Sequence, residues 1–65
     1  MRFNERFRDI RTDHDLTQAQ MGLILNMTQR KVSRLETRQT EPTTDELVLI
    51  CKTFKTDANW LLGIK

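Results

Sequence analysis

Apolar side chains recur along this chain at intervals of three and four residues, the spacing that places them on one side of an α-helix. No stretch alternates apolar and polar residues for long, and the β-branched residues are dispersed, so no strand is predicted. Phe3, Phe7 and Ile10 form a first stripe on a helix from about Asn4 to His14, with Asn4 as its N-cap. Thr17 opens a second helix, with Gln20 three residues on as its capping-box partner and Met21, Ile24 and Leu25 facing inward. That helix is predicted to end near Leu25, because Asn26 tolerates the left-handed backbone of a sharp turn. Thr28 caps a third helix running to about Glu36, with Val32 and Leu35 on its inner side.

Residues 37–43 contain no apolar side chain other than Pro42 and read as a surface loop. Thr44 is the expected N-cap of a fourth helix, whose stripe of Leu47, Ile50, Cys51 and Phe54 ends near Lys55. Asp57 caps a short fifth helix carrying Trp60, Leu61 and Leu62, and Gly63 terminates it. Helices this short, joined by short loops, predict an all-α cluster of crossed helices rather than an up-down bundle.

At 65 residues the chain is expected to form one domain, 1–65, with a small core. A hydrophobic content of 37% with 31% charged residues places it among folding chains rather than disordered ones. The longest apolar run, Leu47 to Cys51, is five residues, against the roughly 20 of a membrane-spanning helix, so no membrane role is expected. Cys51 has no second cysteine to pair with and stands 37 positions from the single histidine, His14, which predicts neither a disulfide nor a metal site. A reducing cytoplasm is the expected setting. No glycine-rich phosphate loop, H-E-x-x-H or G-x-S-x-G is present, which predicts a protein that is not an enzyme and uses no cofactor.

Charge becomes informative once it is divided along the chain. Residues 1–27 balance to zero and residues 39–65 carry a net of −1, whereas residues 28–38 hold Arg30, Lys31, Arg34 and Arg38 against Glu36 alone, a local net of +3. Localised positive charge attracts a polyanion, although a solvated helix face has the same composition. The surplus falls on a short helix, turn and short helix from Gln18 to Leu35. Gly22 stands where two crossing helices bring their backbones together, Met27 plugs the space beneath the turn, and Val32 with Leu35 pack the third helix back on the second. This is the spacing of a DNA-binding helix-turn-helix.

With these residues in place, the sequence resembles the Cro and lambda-repressor-like family, also called the XRE family. Glu5-Arg6-Phe7-Arg8-Asp9-Ile10-Arg11 is similar to the family's first helix, Leu16-Thr17-Gln18 to its entry into the second, and Arg34-Leu35-Glu36 to its third-helix end. Pro42, Leu47, Ile50 and Trp60-Leu61-Leu62-Gly63 match its fourth and fifth helices, so the likeness covers nearly the whole chain. Asn26 stands where glycine is usual, Asp15 and Lys55 replace commonly small turn residues, and Thr56 takes the place of an aliphatic. The resemblance implies a compact five-helix domain from a bacterium or phage that regulates transcription, normally as a repressor.

On a helical wheel, Arg30, Ser33 and Arg34 point away from Val32 and Leu35, while Gln29 sits near the N-terminus, the end that enters the major groove in this docking mode. Arginine suits guanine O6 and N7, and glutamine suits adenine N6 and N7, so Gln29, Arg30 and Arg34 are the expected base readers, the positions the resemblance also indicates. Thr28, Lys31 and Ser33 are expected as secondary contacts. Thr17, Gln18, Arg38 and Thr40 are expected at phosphates on either flank. The resemblance also implies a structural ion pair between Arg11 and Glu36. Trp60 is expected in the core or a dimer contact. The expected partner is double-stranded operator DNA, bound by a homodimer formed at least on DNA, with no small-molecule ligand. As the sequence stops after the DNA-binding segment, the dimer seam is expected to be small and to lie in residues 58–64. A protein-interaction module, such as an antitoxin whose main partner is a toxin, is the alternative.

Overall fold

Four of the helices start where a short polar side chain replaces a missing backbone partner. The computed structural model describes residues 3–64, which form α1 (Phe3–Asp13), α2 (Gln18–Leu25), α3 (Gln29–Glu36), α4 (Thr44–Phe54) and α5 (Ala58–Leu62), with no strand among them. Met1, Arg2 and Lys65 of the expected 1–65 domain lie outside the described residues. The Thr17 hydroxyl accepts from the Gln20 amide at 3.1 Å while Gln20 Oε1 accepts from the Thr17 amide at 2.8 Å, a complete capping box. Thr28 Oγ1 accepts from the Lys31 amide at 3.0 Å, and Asp57 Oδ1 accepts from the Asn59 amide at 3.0 Å.

Three local expectations need correction. The N-cap of α4 is Thr43, not Thr44, because only Thr43 has a glutamate three residues on: Glu46 Oε1 accepts from the Thr43 amide at 2.8 Å and Thr43 Oγ1 accepts from the Glu46 amide at 3.1 Å. Asn4 is not a cap, since α1 already includes Phe3, and its side-chain amide points instead to the Glu36 carbonyl. Ile24 does not face inward but is 46% exposed. The inner arc of α2 is set by Met21, Gly22 and Leu25, and contact at Gly22 turns the helix so that Ile24 lies at its edge.

The joints between helices use the left-handed backbone. Asp15, Asn26 and Lys55 have φ of 54°, 56° and 52°, and all three are the residues that replace the usual small ones. Arg38 adds a fourth joint residue at φ 64° with no sequence signal to announce it. Phe3, Phe7, Ile10, Met21, Leu25, Val32, Leu35, Ile50 and Leu61 form one buried core to which all five helices contribute. Leu16, Met27, Leu47, Cys51, Phe54 and Leu62 pack around it, so Met27 does plug the space under the turn. α2 packs chiefly on α3, and α1 lies against α3 and α5. Buried side-chain polar atoms of the described residues all have hydrogen-bond partners.

Candidate nucleic-acid interface

The outer side of α3 is free because its inner side is fully used. Val32 and Leu35 are completely buried, which turns Gln29, Arg30 and Arg34 to solvent and leaves Ser33 half-buried between them. With Gln18 from the start of α2 and Gln39 from the loop after α3, these four line an open concavity of about 470 Å³. Two of its six lining residues are arginines, the rest are uncharged, and no carboxylate lines it. Among the described residues neither Arg30 nor Arg34 has an acidic partner within 4.0 Å. The concavity can therefore accept an anion and offer planar donor forks without first breaking a salt bridge.

Lys31 stands apart from this group. Its ammonium lies 3.4 Å from the Glu46 carboxylate of α4, so it leans toward the opposite flank of α3 and its charge is partly spent there. Arg38 and Thr40 also leave the concavity, lining a narrower cleft with Phe3, Asn4, Leu35 and Glu41 on the α1 side of the loop. Gln39, not among the expected contacts, lines the concavity with Arg34 instead. Its backbone N–H donates to the Arg34 carbonyl at 2.9 Å, closing the end of the helix. The left-handed turn at Arg38 decides which loop side chain faces the concavity, and an arginine gives no warning of such a turn.

One polar cluster ties the α1 end, the start of α2 and the end of α3 together. Arg11 Nε donates to Glu36 Oε2 at 2.6 Å and Arg11 Nη2 donates to Glu36 Oε1 at 3.2 Å, a two-pronged pair in which the side chains are 16% and 4% exposed. Arg11 Nη1 donates to the Leu16 carbonyl at 2.9 Å, and Gln18 Nε2 donates to Glu36 Oε1 at 3.2 Å. Gln18 thus belongs both to the structural pair and to the concavity.

Other polar side chains have local tasks. The His14 ring Nδ1 meets the Ile10 carbonyl at 2.8 Å, and the ring stands edge-on to Phe54 at 5.0 Å. Arg6 places its guanidinium 5.0 Å over the Trp60 ring and donates to the Trp60 carbonyl, so the ring is clamped on the surface, 40% exposed, rather than held in the core. Burial pushes the Cys51 thiol above its ordinary pKa, and the Asp57 carboxylate adds to the shift. A raised thiol pKa favours the neutral form in the fold, a contribution present at neutral pH and lost as pH rises through the folded value. Iodoacetamide should therefore label native protein more slowly than urea-unfolded protein at pH 8, and equal rates would show an ordinary exposed thiol. Among the described residues no three His, Cys, Asp or Glu side chains are placed to hold a metal, and no helix is long and apolar enough to cross a membrane.

A capped helix, a left-handed turn at Asn26 and a second capped helix with a cationic outer side define a helix-turn-helix protein. The chain belongs to the helix-turn-helix family HTH_3, of the Cro and lambda-repressor-like (XRE) type, which it matches over residues 7–61. Its fold is similar to that of the P22 c2 repressor protein, whose crystal structure is in complex with synthetic operator 9T in the presence of Tl+. The two agree with a TM-score of 0.82 at 25% sequence identity, over 91% of this chain and 89% of that one. No curated protein matches the chain in sequence.

Proposed function

We propose that this protein is a sequence-specific regulator of transcription, a repressor, that places helix 28–36 in the major groove of a palindromic operator. The observation that carries this reading is the concavity in which Gln29, Arg30 and Arg34 stand exposed with no acidic residue beside them. The operator-bound state of the P22 c2 repressor supports it. Arg30 and Arg34 offer bidentate donors to guanine, Gln29 pairs with adenine, and Thr28 and Ser33 make secondary contacts. Thr17 and Gln18 hold a phosphate at the start of α2, Arg38 and Thr40 flank the loop, and Gln39 joins them from inside the concavity. Lys31, held toward Glu46, contributes chiefly through its charge.

The protein works in a bacterial or phage-infected cytoplasm as a homodimer formed at least on DNA, with the exposed parts of Trp60 and Ile64 in the seam. Half-site centres then fall about 10 base pairs apart.

Selection of bound duplexes from a random pool, followed by titration of single-base variants, tests the reading. Arg34→Ala should cost about 1–3 kcal/mol on the selected site and relax preference at one base pair in each half-site. A uniform loss across all variants would make Arg34 a phosphate contact instead. With Lys31 and Arg38 of both protomers neutralising four phosphates, affinity should fall on the order of a hundredfold between about 50 and 200 mM salt. Binding that ignores salt would return the helical protein-interaction reading to the front.

A further inference from the structure

Gln18 is the one residue shared by the buried ion pair and the concavity, and its amide has a polarity that the ion pair fixes. A carboxylate can only accept, so the group facing Glu36 Oε1 at 3.2 Å must be the Gln18 NH2 and not its carbonyl oxygen. That choice spends one of the two Nε2 hydrogens. The second N–H and the Oε1 acceptor are not used by that bond, and Gln18 lines the concavity with Gln29, Arg30, Arg34 and Gln39.

The electrostatics of the pair sharpen the effect. Glu36 is 4% exposed, and its Oε1 also accepts from Arg11 Nη2 at 3.2 Å, so the carboxylate is fixed by a partner on another helix before Gln18 reaches it. An amide that donates one hydrogen to a fixed, shielded carboxylate loses its freedom to flip end for end. Flipping would set Gln18 Oε1 against Glu36 Oε1, two acceptors with no proton between them.

We infer that Glu36 is a positioning residue for DNA binding: through Gln18 it holds an N–H toward a backbone phosphate and keeps the Gln18 oxygen away from it. This inference rests on the proposed DNA-binding function and deepens it. The NH2 group bridges a buried carboxylate and a phosphate, each taking one hydrogen. Arg11 and Glu36 thus connect the packing of α1 to the chemistry of the interface. Because phosphates carry no sequence information directly, this positioning acts on affinity for every duplex alike.

A double-mutant cycle read in DNA affinity tests the inference, with Glu36→Gln and Gln18→Met, the latter keeping side-chain length while removing the amide. Titrations are run on the full chain at low temperature, with the folded fraction of each variant measured by circular dichroism. Glu36→Gln should weaken binding about five- to tenfold in the native background and less than about twofold in the Gln18→Met background. Equal losses in both backgrounds, or none in either, would overturn the positioning role while leaving DNA binding in place. If Glu36→Gln does not fold, side-chain amide relaxation of the unmutated protein decides. The Gln18 NH2 should be as rigid as backbone, with an order parameter of about 0.85, and a value below about 0.6 would overturn the inference. A native chain that binds no selected duplex would overturn both this inference and the function on which it rests.

Discussion

Gly22→Ala should leave a protein close to its unfolding midpoint even under mild conditions, with a loss of about 3 kcal/mol at a residue outside the candidate interface. A Cβ at position 22 would lie 2.6 Å from the Met27 carbonyl oxygen, and 3.4 Å from the carbonyl carbons of Met27 and Thr28. The obstacle is backbone and cannot swing aside as a side-chain end would. Nor is the turn loose, because the Gly22 carbonyl accepts from the amides of both Asn26 and Met27, the latter at 2.8 Å. Moving residues 27 and 28 would disturb the left-handed joint at Asn26 and the cap at Thr28 together. Helix propensity pulls the other way, favouring alanine by about 1 kcal/mol, so the sign of the change decides between the two effects. A core of this size supplies only roughly 3–5 kcal/mol, which makes the steric term close to the whole of the stability. Urea and thermal melts monitored by circular dichroism would measure it. A variant as stable as the parent would mean that α2 and α3 can separate at their closest approach without penalty.

Glu36→Ala is expected to cost on the order of 3 kcal/mol, because it strands the largely buried Arg11 guanidinium with only the Leu16 carbonyl as partner. Gln18 loses its acceptor in the same step. Arg11→Ala should be comparably damaging for the complementary reason, an uncompensated carboxylate in the interior. The double replacement should lose less than the sum of the two, with a coupling of at least about 1 kcal/mol in denaturant melts. Additive losses would separate the residues energetically despite their 2.6 Å contact. Replacing the two by methionine and leucine should come near to restoring stability, since what is costly is one buried charge without the other.

The cores of the helices were legible because a stripe of apolar residues reports burial directly. Phe3, Phe7 and Ile10 on α1, and Val32 and Leu35 on α3, are buried where their spacing placed them. Caps were legible where the whole motif was read, as at Thr17 with Gln20. Thr44 has the residue type of a cap but lacks the glutamate three residues on that answers Thr43. Ile24 departs from its expected place for a different reason. Periodicity on an eight-residue helix cannot say which of two adjacent arcs faces inward, and here backbone contact at Gly22 settled the rotation.

In the candidate interface, the exposure of Gln29, Arg30 and Arg34 followed from the wheel, because the buried side of α3 was unambiguous. Gln39 and Lys31 did not yield to the same reasoning. Gln39 faces the concavity because Arg38 takes a left-handed turn, and Lys31 leans away because Glu46, fifteen positions later, is brought beside it by the packing of α4. Both depend on tertiary placement, which spacing along one helix does not encode.

The Arg6 clamp on Trp60 has a bearing on how unfolding would be seen. Tryptophan occurs once in the chain, and it lies on α5, a five-residue helix far too short to persist alone and anchored mainly by Leu61. So short an element, held mainly by one buried side chain, is the part expected to open before the rest of the molecule. Intrinsic fluorescence is therefore a sensor of one detachable corner, not of the whole. Its midpoint on heating should fall below that from far-ultraviolet circular dichroism, and Arg6→Ala should widen the gap by freeing the indole while the other helices hold. A melting temperature read from fluorescence alone would describe the undocking of α5.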